Sequence, residues 1–413
     1  MELQLFREAL DQVELADRLG IDSVWEVEHH FLEEYSHSSA PEVFLAACSQ
    51  RTKQIRLGHG IVLMPPAYNH PARVAERIAT LDLVSSGRVD WGTGESASAA
   101  ELGGFGVAPL AKQSMWQEAT REAANMLVMD PYPGYQGQHF SMPCRNVVPK
   151  SVQKPHPPLW VACSRRETIH EAARNGIGAL TFAFVDPAEA VKWVQEYYDI
   201  IKSAECSPIG HAVNANVAMV CGFSCHRDAD EARRRGLDGF RFFGYALGHH
   251  YFFGEHIPGR TNIWANYEKA RDLLPTTPGA AGIGAPEQIS RNLRLFEEAG
   301  VDQVIFVQQG GKNEHAHICE SLELFATAVM PAFKQRHTDR EAKKHAELAP
   351  SIDAALARRP TMRPLGDDEI PPIVALGKQA ARQESGDGKT ANFGRESVLQ
   401  VPLEDPLNAR AGT

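Results

Sequence analysis

The sequence has few of the features that mark membrane, secreted or nucleic-acid-binding proteins. No apolar run approaches the roughly 18 residues that a membrane-spanning helix needs, and residues 1–20 lack the basic start and apolar block of a signal peptide. The 42 Lys and Arg are outnumbered by 52 Asp and Glu, and a formal charge of −10 repels nucleic acid and anionic membranes. Seven scattered cysteines do not make a disulfide framework for 413 residues. We therefore expect a cytoplasmic protein with reduced thiols.

Helical stretches alternate with short apolar runs along most of the chain. In residues 71–85, for example, Val74, Ile78 and Leu81 recur at helical spacing among charged residues. Such alternation is typical of β/α units around a parallel sheet. We count seven strands and predict an α/β fold, a (β/α)8 TIM-like barrel whose first strand is missing or incomplete, because the chain opens on a helix. Three arrangements remain: a start further upstream, another segment in the empty position, or an open barrel.

Two excursions and a tail interrupt this pattern. Residues 130–158 are rich in Pro, Gly and Tyr and are compatible with a small hairpin. The aromatic residues of 240–267 suit either an apolar lid over the barrel mouth or a loop packed on the barrel side. The final 77 residues hold one aromatic and seven prolines, so we predict a barrel domain over 1–336 and a weakly helical or disordered extension over 337–413, with helical patches at 339–358 and 370–384.

Two adjacent histidines follow an early strand. Glu28, His29 and His30 stand at the carboxyl end of that strand, the end at which active sites of such barrels gather. Successive strand side chains point to opposite faces, so at most one histidine enters the mouth and the other is structural. A hydrogen-bonded structural pair is the alternative to catalysis. The pattern does not predict a metal site, because no separated His-x-His pair is present.

A second candidate lies where a strand over 159–162 runs into a helix. Ser164 and Glu167 have capping-box spacing, which would explain both residues structurally. The same helix start also offers free backbone N–H groups, the Thr168 hydroxyl and the guanidinium groups of Arg165 and Arg166, which together suit a phosphate. Both interpretations are compatible with one another.

Glycines mark two further places where the backbone can approach a ligand closely. One is Gly92-Thr93-Gly94-Glu95-Ser96 after a strand, and the other is Gly58-His59-Gly60 inside one. A packing requirement explains either motif equally well.

Taken together, these pieces resemble the luciferase-like family of flavin-dependent monooxygenases over about residues 5–336. The resemblance rests on short motifs that occur in the family's order. They are Glu28-His29-His30-Phe31, Arg56-Leu57-Gly58, Asn69-His70-Pro71-Ala72-Arg73, Leu81-Asp82, Gly87-Arg88, Phe105-Gly106 and Val329-Met330-Pro331 with Phe333.

The resemblance implies a reduced FMN at the barrel mouth, which reacts with O2 to a flavin C4a-peroxide and oxygenates a small apolar substrate such as an aldehyde or ketone. His29 would be the catalytic base or hydrogen-bond partner, with His30 packing or orienting beside it. The Gly60-Ile61 bulge matches the position of a non-prolyl cis peptide behind the flavin ring. The family's phosphate site maps onto Ser164 to Thr168.

The chain departs from the family in two places, the missing first strand and Glu95. Glu95 occupies the position of an arginine near the phosphate in bacterial luciferase, which leaves Arg165 or Arg166 to pair with the anion. Because the chain lacks a Gly-x-Gly-x-x-Gly fingerprint for NAD(P)H, the resemblance further implies a separate flavin reductase. It also implies a homodimer formed through helix 71–85.

Two rival functions stay open at this point. One is an F420-dependent oxidoreductase of the same superfamily that transfers hydride without oxygen. The other is a flavin-binding relative that has lost catalysis.

Overall fold

Parallel strands alternate with helices along most of the chain. The computed structural model describes residues 2–182, 185, 187–274 and 279–376. The strands are β1 (Ser23–Glu26), β2 (Arg56–His59), β3 (Val62–Leu63), β4 (Val89–Gly94), β5 (Tyr132–Gln136), β6 (Ser141–Arg145), β7 (Leu159–Cys163), β8 (Gly178–Thr181), β9 (Val217–Cys225), β10 (Gly282–Gly284) and β11 (Gln303–Val307). The helices are α1 (Glu2–Leu19), α2 (Pro41–Arg51), α3 (Pro71–Val84), α4 (Ala99–Gly104), α5 (Lys112–Val128), α6 (Arg166–Arg174), α7 (Pro187–Ile201), α8 (Ala229–Gly248), α9 (Ile263–Ala270), α10 (Pro286–Glu298), α11 (His315–Ala328) and α12 (Met330–Arg358).

The strands form a curled parallel sheet, a half-barrel with helices around it. Its order is β1, β2, β4, β7, β8, β9 and β10, with β3 also beside β4 and β11 also beside β9. Strands β5 and β6 pair separately as an antiparallel hairpin, inside the predicted excursion over 130–158. The predicted α/β class is confirmed.

The strand predicted around Gly58-His59-Gly60 is divided into two short strands. β2 pairs with the start of β4 and β3 with its end, and Gly60 and Ile61 lie between them. Gly58 in β2 has no room for a side chain, because a Cβ there would lie 2.3 Å from the Trp25 ring. Trp25 in turn meets Trp160 edge-to-face across the inside of the sheet, with ring centroids 5.4 Å apart. The glycine therefore lets the barrel interior close around two indole rings.

The half-barrel is open between β1 and β11. In the described ranges no strand pairs with the outer edge of either one, and each residue of both strands is partly exposed. By contrast, every residue of β4, β8 and β9 is buried. Of the arrangements that the sequence left open, the described residues show the open one.

Helices close the outer layer where the sheet stays open. α1 packs against α11, and Gln12 on α1 links the two sides. Its Nε2 lies 3.1 Å from His315 Nδ1, and its Oε1 accepts a hydrogen bond from Gln309 Nε2 at 2.9 Å. The opening in the sheet is therefore covered from outside by side chains of two helices.

The chain divides into two compact units, residues 1–363 and 364–413. The boundary predicted after residue 336 lies inside α12. This helix is held to the first unit by Lys344 Nζ on Asp302 Oδ1 at 2.9 Å and by Arg336 on Glu297 at 2.7 Å. The predicted helical patch over 339–358 lies within α12. No helix in the described part of the chain is long and apolar enough to cross a bilayer.

Of the second unit, the structure describes residues 364–376. They contain a turn in which the Glu369 backbone N–H donates to the Gly366 carbonyl at 2.9 Å. Most of the predicted patch over 370–384 lies outside the described residues.

We predict that the protein loses stability in mild acid, because two of its buried histidines resist protonation in the folded state. Burial lowers the pKa of His59 and of His156 to about 4, and His156 Nε2 must stay unprotonated to accept the His211 N–H at 2.8 Å. Unfolded histidine titrates near 6.5, so this stabilisation is complete above pH 6.5 and is lost as pH falls toward 4. Together these two histidines contribute up to about 2.7 kcal/mol per pH unit to the fall in the free energy of unfolding. His211, whose pKa burial also lowers to about 4, adds to it, and urea unfolding at several pH values measures the sum.

His345 provides a matched control because its side chain is 76% exposed. His345→Gln should leave the pH dependence unchanged. A free energy of unfolding that stays constant between pH 6.5 and 5 would contradict the prediction.

Candidate active site

A cavity of about 2070 Å³ opens at the carboxyl ends of the strands and continues along the gap between β1 and β11. All but one of the site residues predicted from the sequence lie on its wall. The cavity-lining members are His29, Gly60, Ile61, Glu95, Ser164, Arg165 and Thr168. Arg166 is not part of the described cavity wall.

The first histidine of the pair is held by a buried carboxylate. His29 lines the cavity, and its Nδ1 lies 3.1 Å from Oε1 of Glu101 on α4. The Glu101 side chain is fully buried, whereas 17% of the His29 side chain is exposed. The pair therefore presents an imidazole to the cavity and hides the charge that orients it.

Three donors keep Glu101 ionised. Burial alone would raise its pKa, but hydrogen bonds from His29, from Ser96 Oγ at 2.6 Å and from the His30 backbone N–H at 2.9 Å hold that pKa below its usual value. An ionised carboxylate only accepts hydrogen bonds, so His29 Nδ1 must carry the proton. This leaves Nε2 as the basic nitrogen of the cavity-lining ring.

The second histidine belongs to a structural network. His30 Nε2 lies 3.1 Å from Glu28 Oε1, and Glu28 raises the pKa of His30. The same carboxylate accepts the Leu63 N–H at 2.7 Å and Asn69 Nδ2 at 2.9 Å. Glu28 thereby ties the end of β1 to the segment after β3, which fixes the backbone on which His29 sits.

The Gly60-Ile61 peptide differs from the expectation. The three cis peptide bonds in the described residues precede Pro131, Pro149 and Pro155, and the Gly60–Ile61 bond is trans. The strand break itself is present, and the Gly60 N–H donates to the Glu26 carbonyl at 2.6 Å. This hydrogen bond gives the Gly60 N–H a partner at the break, and the chain passes from β2 to β3 with a trans peptide bond.

The helix start after β7 is capped one residue later than predicted. The Arg165 backbone N–H donates to Thr168 Oγ1 at 3.2 Å, so Arg165, not Ser164, is the N-cap of α6. Arg166 pairs with Glu196 on α7. Ser164 and Arg165 remain on the cavity wall, while the Arg166 guanidinium is engaged elsewhere.

A lysine that the sequence analysis did not single out completes this corner of the cavity. Lys112 Nζ lies 2.8 Å from Glu95 Oε1 and donates to the Ser96 carbonyl at 2.7 Å. Both side chains line the cavity. The negative charge of Glu95 is therefore balanced within the site.

Aromatic side chains of the long excursion cover one side of the cavity. Tyr35 lies edge-on to His29 with ring centroids 5.2 Å apart, and it stacks on Phe243 of α8 at 5.4 Å. Tyr251 and Trp264 also line the cavity. Burial raises the pKa of Tyr35 and of Tyr251, so both hydroxyls keep their protons. Residues 240–267 thus place aromatic side chains on the cavity wall, as the interpretation of this segment as an apolar lid requires.

Comparison with known proteins places this architecture among flavin enzymes. A family model described as luciferase-like monooxygenase matches residues 2–303. The oxygenase component of the flavin-dependent trigonelline monooxygenase of Acinetobacter baylyi is 27% identical over 367 residues, which cover 84% of this chain and 94% of that protein.

Three solved structures show the same fold. Monooxygenase RslO1 from Streptomyces bottropensis aligns with a TM-score of 0.65 at 25% identity, over 79% of this chain and 93% of that one. The oxygenating constituent of 3,6-diketocamphane monooxygenase from Pseudomonas putida, in complex with FMN, gives 0.60 at 19% identity over 80% and 94%. An F420-dependent secondary alcohol dehydrogenase with an F420-acetone adduct gives 0.62 at 19% identity over 78% and 94%.

Proposed function

Because the chain belongs to the luciferase-like monooxygenase family, we propose that it uses reduced FMN and O2 to oxygenate a small apolar organic substrate, such as an aldehyde or ketone. The observation that carries the proposal is the pair formed by His29 and Glu101. The pair presents one basic nitrogen to the cavity. The same cavity is lined by Ser164, Arg165 and Lys112, which suit a phosphate, and by aromatic side chains of residues 240–267. This combination fits an oxygenase better than it fits a binding protein.

The donor set fits a flavin mononucleotide. Ser164, Arg165 and Lys112 would hold its phosphate, and Gly60 with Ile61 would lie against its ring system. Reduced flavin, when bound, supplies the electrons that activate O2. The cavity of about 2070 Å³ exceeds the roughly 300–1,000 Å³ of a typical ligand pocket, which suits a flavin and a second organic molecule together.

His29 holds or moves the proton of the reaction at Nε2. Its Nδ1 proton is fixed by Glu101 at 3.1 Å, so Nε2 alone can accept a proton from, or share one with, the reacting oxygen. The aromatic groups Tyr35, Phe243 and Tyr251 exclude water from this nitrogen.

The proposal includes two partners. A separate reductase supplies the reduced flavin, as the word component in the name of the Acinetobacter relative suggests. A homodimer forms through α3, whose last turn leaves Leu83 and Val84 44% and 47% exposed. Light scattering on the purified protein would measure its molar mass and so test the proposed homodimer.

An F420-dependent hydride transfer is the second candidate, supported by the fold likeness to the F420-dependent alcohol dehydrogenase. Anaerobic titration with reduced FMN and with reduced F420, followed by oxygen, separates the candidates. We expect reduced FMN to bind and, after oxygen is admitted, to give a transient flavin absorbance and oxygenated product. Tight binding of F420 without oxygen-dependent turnover would favour the F420-dependent function instead. Binding of neither FMN nor F420 would contradict both candidate functions.

A further inference from the structure

Two adjacent glutamates join the loop between β1 and α2 to the aromatic excursion. The Glu33 carboxylate accepts the Gly259 backbone N–H, at 2.9 and 3.0 Å from its two oxygens. The Glu34 carboxylate accepts the first two backbone N–H groups of α9, at 3.1 and 2.7 Å. Residues 249–264, which we call the lid segment, are thereby clamped to the loop that carries His29.

Three histidines of the lid segment pack against one another beside this clamp. The rings of His249, His250 and His256 have centroids 5.1 to 5.6 Å apart. His250 Nε2 donates to the Glu33 carbonyl at 3.0 Å, and His256 Nε2 lies 3.5 Å from Glu33 Oε2. The same short stretch of chain places Tyr251 on the cavity wall. Glu33 therefore contacts the histidine cluster as well as the chain that follows it.

The cluster is poorly equipped to hold more than one proton. Nε2 of His249 and both ring nitrogens of His256 are buried and have no hydrogen-bond partner among the described residues. The charged groups that face the cluster from other elements are the carboxylates of Glu33, Glu34 and Glu101. Glu33 can balance one proton on His256, but a second proton would place two positive rings in contact. The closed arrangement therefore tolerates one charged imidazole and disfavours two.

Mild acid favours a lid segment that has moved away from this contact. Burial, and after it the neighbouring His256, lowers the pKa of His249, and burial lowers the pKa of His250 although its bond to the Glu33 carbonyl opposes this. In an open lid segment both rings return to water, where histidine titrates near 6.5. Protons therefore bind better to the open form. The closed form is fully favoured above about pH 6.5 and loses its advantage as the pH falls below that value.

We infer that Glu33 and Glu34 hold the lid segment closed over the cavity and that protonation of the histidine cluster releases it. Closure keeps Tyr251 beside Tyr35, with ring centroids 6.4 Å apart, and Tyr35 lies against the His29 ring. Release opens the aromatic side of the cavity to water and to molecules that enter or leave. The glutamates and the histidine cluster act through the lid segment and not on the reacting atoms. The inference does not depend on which flavin binds.

Backbone amide hydrogen exchange of the full chain, followed by mass spectrometry without added flavin, measures this closure. Peptides of the lid segment should exchange faster than peptides of β4, which need the whole domain to unfold. Between pH 7.5 and 5.5, with labelling times scaled for intrinsic exchange, protection of the lid segment should fall at least about tenfold.

The double variant His249→Phe/His250→Gln removes both groups whose protonation the closed form resists. The fall in protection of its lid segment should shrink to less than about threefold, while β4 behaves nearly as in the unmodified protein. A Cβ on Gly254 would lie 2.2 Å from His249 Nδ1, so space at this ring is limited. His249→Leu/His250→Gln repeats the test with a smaller apolar side chain if the first variant does not fold.

The clamp has its own variant. Glu34→Ala removes the acceptor of the two N–H groups of α9 and should raise exchange of the lid segment several-fold at pH 7.5 already. His345→Gln is the matched control, because its side chain is exposed, and it should exchange as the unmodified protein does.

An equal fall in protection in the double variant and in the unmodified protein overturns the inference. A lid segment that exchanges no faster than β4, or that Glu34→Ala leaves unchanged, overturns it too. Each of these results leaves the proposed function standing, because no flavin is present in the measurement. Failure to bind flavin, in turn, contradicts the proposed function and not the release of the lid segment.

Discussion

His29→Ala is expected to lower the rate of substrate oxygenation by a factor on the order of 100 to 10,000, the range that a positioned acid–base group contributes. Flavin binding should change little, because the groups proposed to hold the phosphate lie away from β1: Ser164 and Arg165 lie between β7 and α6, and Lys112 begins α5. Reduced flavin would still react with oxygen, but without product. Single-turnover assays that follow product and flavin oxidation separately measure this uncoupling.

A histidine outside the cavity provides the negative control. His345 on α12 is largely exposed, and His345→Ala should leave coupling between flavin oxidation and product unchanged. Retention of full product yield by His29→Ala would remove the main support for the proposed mechanism. Absence of product from the unmodified protein would favour the non-catalytic relative.

The sequence could predict which loops face the cavity but not which helices complete it. Glu95 and Ser164 follow a strand directly and His29 lies three residues after one, and in a parallel sheet such positions meet at one edge. Glu101 and Lys112 lie on α4 and α5, and their side chains reach the site only through the packing of those helices. No local spacing signals that packing, although both residues lie within 20 positions of the Gly92–Gly94 motif.

Local capping chemistry was the least reliable inference from sequence. Ser164 and Glu167 have capping-box spacing, yet Thr168 binds the backbone of Arg165 instead. Ser, Thr and Glu at neighbouring positions offer competing caps that differ by only about 1 kcal/mol, so the surrounding fold decides between them. The open edge beside β1 was one of the three arrangements that the seven counted strands allowed, and the described residues show it.

Glu101→Gln is expected to lower turnover about a hundredfold while the protein still folds and binds flavin. The amide oxygen can still accept from His29 Nδ1 and from the His30 N–H, but the amide lacks the negative charge that would balance the positive ring formed when Nε2 takes up a proton. The expected loss is in kcat, with KM changed less, because the aromatic residues that line the cavity are untouched. Steady-state kinetics at several pH values measure both constants.

Glu101 is a positioning residue, so its role must be separated from a structural one. A loss of kcat at unchanged flavin affinity and unchanged free energy of unfolding separates the two roles. Ser96→Ala removes a different hydrogen bond to the same carboxylate, at 2.6 Å, but leaves its charge and its contact with His29. That variant should lose less than about tenfold in kcat. Equal losses of kcat in both variants, accompanied by equal losses in the free energy of unfolding, would mean that Glu101 only supports the fold and that His29 does not depend on it for its proton.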